Sequence, residues 1–429
     1  MSKFADIVIV GGGLVGSTLA CKLSQSSWLS SRKILLLESG AKKAPKAGNL
    51  SPDFSNRVVA LNPGTKRLFK SIGAWNLIQR KNSFDTMFIW DQCSSSSIEF
   101  KSLDPIAYII ENDLVIDALD RLVEDSANKN LKVIHDAKVQ ACHLSSIQDD
   151  LAKIELSNGE VIEAALVIGA DGANSFVRKA MGVQYMSKDY KQMGLVGTVT
   201  FEPSETRNNI AFQKFLPSGP IALLPLTPGK ASLVWTLPTD LAKKYAKGNP
   251  EDLAKDLDLH LHAKHSRNSA IDGLNTALGL LLRPFRSKSS ITSMPPPKII
   301  KVDNPACFPL GFGHAERYVA NRVALVGDAA HRIHPLAGQG VNLGYGDVEK
   351  LVRALEDNVR QGQKFASYDH LCEYETECMR LNLPLMGAVD GLQQLYCSDN
   401  QAFVAARSLG LQFVNANPNI KNMIMSAAS

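Results

Sequence analysis

The sequence predicts an α/β fold with three parts: a Rossmann-like domain, a domain made mainly of β-strands and interleaved with it, and a helical C-terminal region. Residues 6–38 show a buried strand, a glycine-rich turn, a helix and a second strand, in that order. Two further buried strands end at Asp171-Gly172 and at Gly327-Asp328. Strand patterns fill much of the chain between these two motifs, and helical patterns fill its C-terminal end.

The first of these elements has every part of a dinucleotide-binding fingerprint. A buried strand over residues 6–10 runs into Gly11, Gly13 and Gly16, a helix continues to about Leu23, and a second strand ends at Glu38. In the dinucleotide fold the first glycine makes the tight turn, the second admits the pyrophosphate and the third lets the helix pack closely, while the acid binds the ribose hydroxyls. A lone glycine motif would be weak evidence, but its required context is present here.

Length and composition limit the possible classes of protein. A chain of 429 residues predicts two or three domains, and 45% apolar with 21% charged residues excludes a mostly disordered or fibrous chain. The net charge of +5 comes without a run of Lys or Arg, so we expect no nucleic-acid partner. Seven scattered cysteines favour a reducing compartment and predict neither a disulfide framework nor a metal site. We find no apolar stretch long enough for a transmembrane helix and no clear secretory or import leader.

The middle of the chain alternates between strand and helix patterns. The predicted elements are strands within 84–110, a helix at 112–123, strands at 131–134 and 137–144, a hairpin at 151–163 turned by Asn158-Gly159, strands within 193–237, helices within 240–285 and strands from 299 that re-enter the first domain. The C-terminal end is helical, with 374–381 and 388–396 as the clearest pieces.

The stretch at residues 322–342 predicts a second ligand-binding turn. An apolar strand at 323–326 stops at Gly327-Asp328, and a loop with two histidines and a proline leads to Gly338, Gly340 and a helix over 341–355. Glycines let the backbone approach a ligand, and the first N–H groups of a helix lack intrahelical partners. An anionic group is therefore expected at this helix start.

These motifs together resemble the flavoprotein aromatic hydroxylases, the group related to p-hydroxybenzoate hydroxylase. The likeness rests on the three glycine and acid signatures at 11–16, 171–172 and 327–328, and on the long runs at 215–226 and 322–342. Within that group the two runs are most similar to the eukaryotic monooxygenases of ubiquinone (coenzyme Q) biosynthesis. The resemblance extends over nearly the whole chain.

The resemblance implies FAD as the cofactor and assigns residues to it. The adenosine half would contact Gly11, Gly13, Gly16 and Glu38, and the remaining cofactor-binding residues would be Arg57 near the pyrophosphate, Asn112 on a helix near the flavin, Asp171, Asp328 at the ribityl hydroxyls, and Gly340, Val341 and Asn342 at the pyrimidine end of the ring.

The implied reaction is hydroxylation of the aromatic ring of a polyprenyl-phenol by O2, through a C4a-hydroperoxyflavin. Pro335 would lie over the reactive edge of the flavin ring, and His334 or His331 would loosen the phenol proton, although a loop histidine is more often satisfied by backbone carbonyls. The apolar run suggests a pocket for a prenylated ring, lined by Pro220, Ile221, Leu223 and Pro225. An apolar strand can also be plain core.

The resemblance also implies a division into domains. The FAD-binding parts would be residues 1–83, 111–180 and 299–364, the substrate domain would comprise strands at 84–110 and a mainly β-sheet part at 181–298, and residues 365–429 would be the C-terminal helical region.

Other readings of the same scaffold remain open. One is a flavin-fold prenyl-chain reductase, and another is a non-catalytic binding protein for a prenylated partner; a halogenase is disfavoured because no Trp-x-Trp motif is present. The resemblance implies electron delivery by a ferredoxin system, with NAD(P)H as the alternative. It also implies a complex of ubiquinone-synthesis enzymes and a peripheral position on the matrix side of the mitochondrial inner membrane. The segment at 277–282 and the C-terminal helices are candidates for the membrane contact.

Overall fold

The structure is a computed structural model that describes residues 3–42, 50–124, 130–144, 151–203, 209–264, 273, 277 and 296–427. Of the predicted membrane-contact segment at 277–282, all but residue 277 lies outside the described residues.

The described strands, in chain order, are β1 (Lys3–Val10), β2 (Ile34–Leu37), β3 (Val58–Leu61), β4 (Asn82–Phe84), β5 (Thr86–Asp91), β6 (Ser97–Lys101), β7 (Ala107–Glu111), β8 (Leu131–Ile134), β9 (Val139–His143), β10 (Ala152–Leu156), β11 (Val161–Gly169), β12 (Tyr185–Phe201), β13 (Ile210–Phe215), β14 (Ile221–Thr227), β15 (Lys230–Pro238), β16 (Ile299–Ala315), β17 (Val319–Ala320), β18 (Val323–Leu325) and β19 (His331–Arg332).

The helices are α1 (Leu14–Ser24), α2 (Pro63–Ser71), α3 (Ala74–Leu77), α4 (Asn112–Glu124), α5 (Phe176–Ala180), α6 (Thr239–Lys247), α7 (Pro250–His262), α8 (Gly340–Arg360), α9 (Tyr368–Tyr396), α10 (Gln401–Ala416) and α11 (Pro418–Ala427). Short 3-10 turns cover Gly327–Ala329 and Pro335–Ala337.

The first sheet has a parallel core in the order β18-β11-β1-β2-β8, and β17 adds an antiparallel edge beside β18. Its central strands are unbroken apolar runs because both faces of a parallel sheet are covered. The predicted hairpin is confirmed as β10 and β11, and β9 joins β10 in the same sheet. The Rossmann-like part of the predicted fold class is therefore present.

The second sheet runs in the order β19-β16-β12-β15-β14-β13-β5-β6 and is antiparallel apart from the β13–β5 pair. Its core lies on one face, where alternate residues such as Leu223, Leu233 and Trp235 pack with Leu253 and Leu257 of α7. The prediction that the strands from 299 re-enter the first domain is wrong for β16. That strand pairs with β12 along its length, because its alternating residues complete the face covered by α6 and α7.

A third, smaller sheet of β3, β7 and β4 is wholly antiparallel. It packs on the other face of the second sheet, where Phe84 and Ile109 meet Ala211, Leu224 and Leu226. Of the strands predicted within 84–110, β5 and β6 belong to the second sheet, whereas β7 belongs to this third sheet.

The C-terminal helices pack against two different parts of the molecule: α9 contacts the first sheet and α10 contacts the second. Helix α9 runs unbroken through Pro384, so the two predicted helical pieces are one helix. Its Glu375 carboxylate accepts the backbone N–H groups of Tyr318 and Val319 at 2.6 and 3.1 Å, and the Tyr374 hydroxyl donates to the Leu325 carbonyl at 2.7 Å. Helix α9 is thereby hydrogen-bonded to the backbone of the first sheet at β17 and β18.

Helix α10 is joined to the second sheet by a fully buried ion pair. The Arg407 guanidinium donates to both carboxylate oxygens of Asp91 in β5, at 3.0 and 3.1 Å. Among the residues described, no helix is long and apolar enough to cross a membrane.

Candidate functional site

Four turns meet at one edge of the first sheet. The register pairs Val10 with Leu37 and with Gly169, and pairs Gly169 with Leu325, so these four strands end at the same level. In open α/β sheets the crevice beyond the carboxyl ends of the strands is where ligands bind. The sequence motifs at 11–16, 38, 171–172 and 327–328 all follow these strand ends and therefore share one crevice.

The glycines of the first turn are fixed by close approach of the backbone. Gly11 has φ +108°, and a Cβ on it would lie 2.4 Å from the carbonyl oxygen of Ala170. A Cβ on Gly16 would lie 1.9 Å from the carbonyl oxygen of Gly11. At Gly13 a Cβ would meet nothing within 4 Å, and α1 begins there without a side-chain cap. The turn thus leaves an open space beside a helix N-terminus, which suits a pyrophosphate.

Glu38 is tied to the same turn. Its carboxylate accepts the N–H of Gly12 at 2.8 Å and the N–H of Gly40 at 2.7 Å. An ionised carboxylate has about four lone-pair sites, so acceptor capacity remains for ribose hydroxyls. The predicted ribose contact is compatible with this geometry.

Arg57 and Asn112 lie beside each other, since the backbone N–H of Asn112 donates to the carbonyl of Arg57 at 3.0 Å. The Arg57 side chain is exposed. The side-chain Oδ1 of Asn112 is buried and has no hydrogen-bond partner. Buried polar atoms are normally paired, so the unpartnered Oδ1 points to a bound group at the start of α4.

Asp171 has a local structural role. Its Oδ2 accepts the N–H groups of Phe176 and Val177 at 2.6 and 3.2 Å, at the beginning of α5. Its other oxygen, Oδ1, is buried and unpartnered. One oxygen therefore supports the fold, while the second is available to a ligand.

Asp328 lies on the floor of the crevice. Its side chain is exposed, yet protein surrounds it closely enough to raise its pKa above the ordinary value, against the lowering influence of His331 and Arg332. The preceding Gly327 has φ +59°, and its Cα lies near Val15 of α1 and Gly344 of α8. The two glycine-rich motifs of the sequence, more than 300 positions apart, are thus brought into direct contact.

Asp347 is a site residue that sequence reasoning missed. This fully buried carboxylate on α8 accepts the N–H of Gly327 at 2.9 Å and Nε2 of His331 at 2.6 Å. Its presence on the buried face of α8, among Val348, Leu351 and Leu355, is the sequence signal that could have revealed it.

Arg178 is a second site residue that the sequence analysis missed. Its buried guanidinium donates to the carbonyl of Ala329 at 2.7 Å and to the carbonyl of Ala173 at 2.7 Å, and so connects the Asp171 and Asp328 turns.

His334 and Pro335 follow in the same loop. The alternative in which backbone carbonyls satisfy His334 is wrong, because both of its ring nitrogens are buried without a hydrogen-bond partner. The ring of Tyr190 stands edge-on to it, with centroids 5.2 Å apart. Burial lowers the pKa of His334 to about 4, so the imidazole is neutral at physiological pH. The other candidate base, His331, is engaged with Asp347.

The start of α8 holds Gly340, Val341 and Asn342 as predicted, but the Asn342 side chain is directed into the protein. Its Nδ2 donates to the carbonyls of Ala60 and Gly338 at 2.9 and 3.2 Å. Its Oδ1 accepts from the N–H of Asn62 and the hydroxyl of Thr65 at 3.2 and 2.8 Å. The contact predicted between the flavin ring and this helix start is therefore left to the backbone N–H groups, and it remains a prediction.

The predicted pocket residues require a correction. Ile221 and Leu223 belong to the core shared with α6 and α7, and Pro220 and Pro225 are also buried. Successive residues of a strand point to opposite faces, so Ile221 and Leu223 face this core and Ala222, which lies between them, faces the opposite side. The opposite face carries a row that crosses the sheet, which we call the inner-face row: Val196, Val234, Ala222, Gln213 and Ile89.

Three of the five residues of the inner-face row keep part of their surface accessible. Val234, Ala222 and Ile89 are only half-buried although they lie in central strands. Next to the row, the hydroxyls of Thr198 and Ser232 are buried without hydrogen-bond partners. Ala60, which belongs with Leu224 to the apolar cluster on this face, lies 3.3 Å from a Cβ built on Gly338, so this cluster reaches the loop before α8.

Within the described ranges, no group of three or more His, Cys, Asp or Glu side chains could hold a metal ion.

Comparison with known proteins identifies similar chains along the full length. The family described as "FAD binding domain" matches residues 5–276 and 300–383. The chain is 40% identical over 442 residues to the ubiquinone biosynthesis monooxygenase COQ6, mitochondrial, of Caenorhabditis elegans, covering 100% of this chain and 96% of that protein. It is 39% identical to the human protein of the same name, covering 99% and 92%.

Two solved structures illustrate the shared fold. The p-nitrophenol 4-monooxygenase PnpA from Pseudomonas putida superposes with a TM-score of 0.71 at 18% identity, covering 99% of this chain and 98% of that one. Klebsiella pneumoniae HpxO, complexed with FAD and uric acid, superposes with a TM-score of 0.67 at 17% identity, covering 99% and 96%. These likenesses confirm the predicted fold class.

Proposed function

The chain belongs to the FAD binding domain family and is an FAD-dependent aromatic-ring monooxygenase of its ubiquinone biosynthesis branch, and on this premise we propose that it hydroxylates the ring of a polyprenyl-phenol. The observation that carries the proposal is the inner-face row, in which the apolar residues Val234, Ala222 and Ile89 are only half-buried on the face of the second sheet opposite its core. A prenylated ring matches such a wall better than a small charged acid does.

Bound FAD supplies the ability to activate O2 for insertion of one oxygen atom into an aromatic ring. The chain's own residues hold the cofactor and orient the substrate. We assign the adenosine half to the turn at 11–16 with Glu38, and the flavin half to Asp328 and the N–H groups at the start of α8. We also assign Pro335, on the loop between Asp328 and α8, to the place where the substrate ring would face the flavin.

His334 is proposed to accept a hydrogen bond from the phenol hydroxyl. Its imidazole is neutral, buried and unpartnered at both nitrogens, so one nitrogen can accept a hydrogen bond and the other can donate one. The low pKa keeps a lone pair available throughout the physiological range. Orienting the hydroxyl and drawing electron density from its O–H bond into the ring favours reaction with an electrophilic oxygen.

We extend the proposed substrate domain, residues 84–110 and 181–298, to include β16, because this strand completes the second sheet. The proposed electron donor is a ferredoxin system, with NAD(P)H as the alternative, and the proposed setting is a complex of ubiquinone-synthesis enzymes in the mitochondrion. The curated relatives are named mitochondrial.

A peripheral contact with the matrix side of the inner membrane is proposed for helices α9–α11. Their large exposed apolar side chains are Leu381, Leu383, Leu392, Phe403, Phe413, Met423 and Ile424. Burial of such side chains at a lipid surface is favourable. Replacing Phe403 and Phe413 by Ser should reduce sedimentation with anionic phospholipid vesicles; unchanged sedimentation would refute the assignment.

The decisive experiment supplies the FAD-loaded protein with a polyprenyl-phenol, heavy-isotope O2 and an electron donor, and measures the product by mass spectrometry. We expect one labelled oxygen on the ring. A saturated prenyl chain without label would favour the reductase alternative, and tight binding of a prenylated partner with no product would favour the binding protein.

A pair of adjacent substitutions tests the position of the pocket. Ala222→Trp should fill the space beside the inner-face row and abolish turnover while flavin content and unfolding temperature stay near wild type. Leu223→Ala, on the opposite face of the same strand, should cost about 2–5 kcal/mol of stability and leave KM unchanged. Normal turnover in the Ala222→Trp variant would place the substrate elsewhere.

A further inference from the structure

A single buried carboxylate holds both ends of the loop that presents Asp328. Asp347 Oδ2 accepts the N–H of Gly327, immediately before Asp328, and also Nε2 of His331, three residues after it. Its other oxygen accepts from Nδ2 of Asn382 in α9 at 3.3 Å. Closing the loop on one acceptor atom fixes the direction in which Asp328 projects.

Two backbone carbonyls of the loop also accept hydrogen bonds from neighbouring elements. Arg178 donates to the carbonyl of Ala329, and the N–H of Ala315 donates to the carbonyl of Ala330 at 2.8 Å. Asp328 is exposed in the crevice, whereas its neighbours in this loop are buried. The loop therefore has a rigid inner side and one outward-facing carboxylate.

In the Asp347–His331 contact each side chain favours the charged form of the other. The attraction of His331 and the Gly327 N–H hold the pKa of Asp347 below its ordinary value, although burial opposes this. Burial lowers the pKa of His331, but the Asp347 carboxylate outweighs it and raises the net pKa above the ordinary value. Both side chains have almost no exposed surface, so solvent does not screen the pair.

We propose that Asp347 is a positioning residue for FAD, which acts through His331 and the Gly327 N–H to set the loop that presents Asp328 to the cofactor. The inference concerns cofactor binding only, so it can fail or succeed independently of the polyprenyl-phenol substrate.

The proposal has a consequence for pH. A raised His331 pKa means that the pair is intact below that pKa and loses its charge as pH rises through it, and a lowered Asp347 pKa means that the pair is lost only in acid. FAD affinity should therefore fall as pH rises through the raised pKa of His331. The titratable or charged groups that face the pair are Asp328 in the loop, Lys350 on α8, His314 on β16, Tyr318 before β17, and Tyr374 and Cys378 on α9.

The test measures the Kd of FAD for the apoprotein by quenching of flavin fluorescence, from pH 6 to pH 9.5, together with the unfolding temperature. For Asp347→Asn we expect Kd at pH 7 to rise on the order of tenfold, the scale of one charged hydrogen bond, and the alkaline change to disappear. Asp91→Asn is the matched control, since it disrupts the equally buried Asp91–Arg407 pair away from the crevice. It should lower the unfolding temperature without changing Kd.

His331→Gln keeps a neutral donor near Asp347 and provides a second, independent readout. Its Kd should lie between those of wild type and Asp347→Asn at pH 7 and should not vary with pH. The proposal is overturned if Asp347→Asn and Asp91→Asn change Kd equally, if the wild-type Kd is flat across the range, or if His331→Gln retains the alkaline change.

Discussion

The two ends of the proposed cofactor crevice are built in different ways. At the first end, residues 11–16 are shaped by their own backbone, because Gly16 packs directly on the carbonyl of Gly11. At the second end, residues 327–342 are shaped by side chains from elsewhere: Asp347, Arg178, and the Asn342 network with Ala60, Asn62 and Thr65.

This difference determines how each end responds to substitution. A turn fixed by close backbone approach has no tolerance for a single added methyl group. A loop held by several buried hydrogen bonds loses its geometry in steps, because each bond can be removed separately. A single substitution should therefore disrupt the turn at the first end completely, whereas single substitutions at the second end should each weaken its loop only in part.

The largest effect is expected for Gly16→Ala. The new Cβ would meet the Gly11 carbonyl oxygen at an impossible distance, so the turn or α1 must move, at a cost of about 3 kcal/mol or more. Gly13→Ala is the matched control: its Cβ has free space, so the apoprotein should fold normally but bind FAD more weakly. Calorimetry and flavin content measure the two effects. A Gly16→Ala protein with wild-type stability would contradict the backbone account.

A smaller effect is expected for Asn342→Ala, which removes all four hydrogen bonds of the Asn342 side chain. Buried partners such as the Thr65 hydroxyl would lose this hydrogen bond, and we expect a loss of about 3 kcal/mol with reduced flavin retention. Asn358→Leu on the same helix is the control, because the Asn358 amide is buried with both atoms unpartnered. Its loss should be neutral or stabilising. Equal destabilisation by both changes would argue against the network.

The smallest effect on folding is expected for Asp328→Ala. The side chain is exposed, so the free energy of unfolding of the apoprotein should change by no more than about 0.5 kcal/mol. FAD affinity should nevertheless fall on the order of tenfold, the scale of one charged hydrogen bond. Equilibrium dialysis with FAD measures this change. Unchanged flavin content would remove Asp328 from the cofactor site.

The same contrast explains how much of the site could be predicted from sequence. The first turn is encoded locally, since the spacing of Gly11, Gly13, Gly16 and Glu38 contains the whole geometry. The second end could be located from Gly327-Asp328 and the glycines near 340, but the contacts that support it could not. Asp347, Arg178 and Ala60 become neighbours of the loop only through tertiary packing, and no local pattern pairs them with it.

The fold shows a similar limit. Buried parallel strands, the Asn158-Gly159 hairpin and most helices followed from periodicity and turn residues. The sheet to which β16 belongs could not be predicted in this way, because the strands that pair with it lie far away in the sequence. The pocket prediction chose Ile221 and Leu223 instead of Ala222, since an apolar run without alternation does not reveal which face is covered.

Helix α9 gives the cofactor site an unexpected dependence on distant sequence. Glu375, Tyr374 and Asn382 lie well after every cofactor motif, yet they hold the strands and the carboxylate behind Asp328. A chain shortened before residue 368 would keep all the recognisable FAD motifs but lose these three supports. In such a truncated protein, whether natural or engineered, an intact FAD-binding fingerprint would be a poor guide to whether the flavin stays bound.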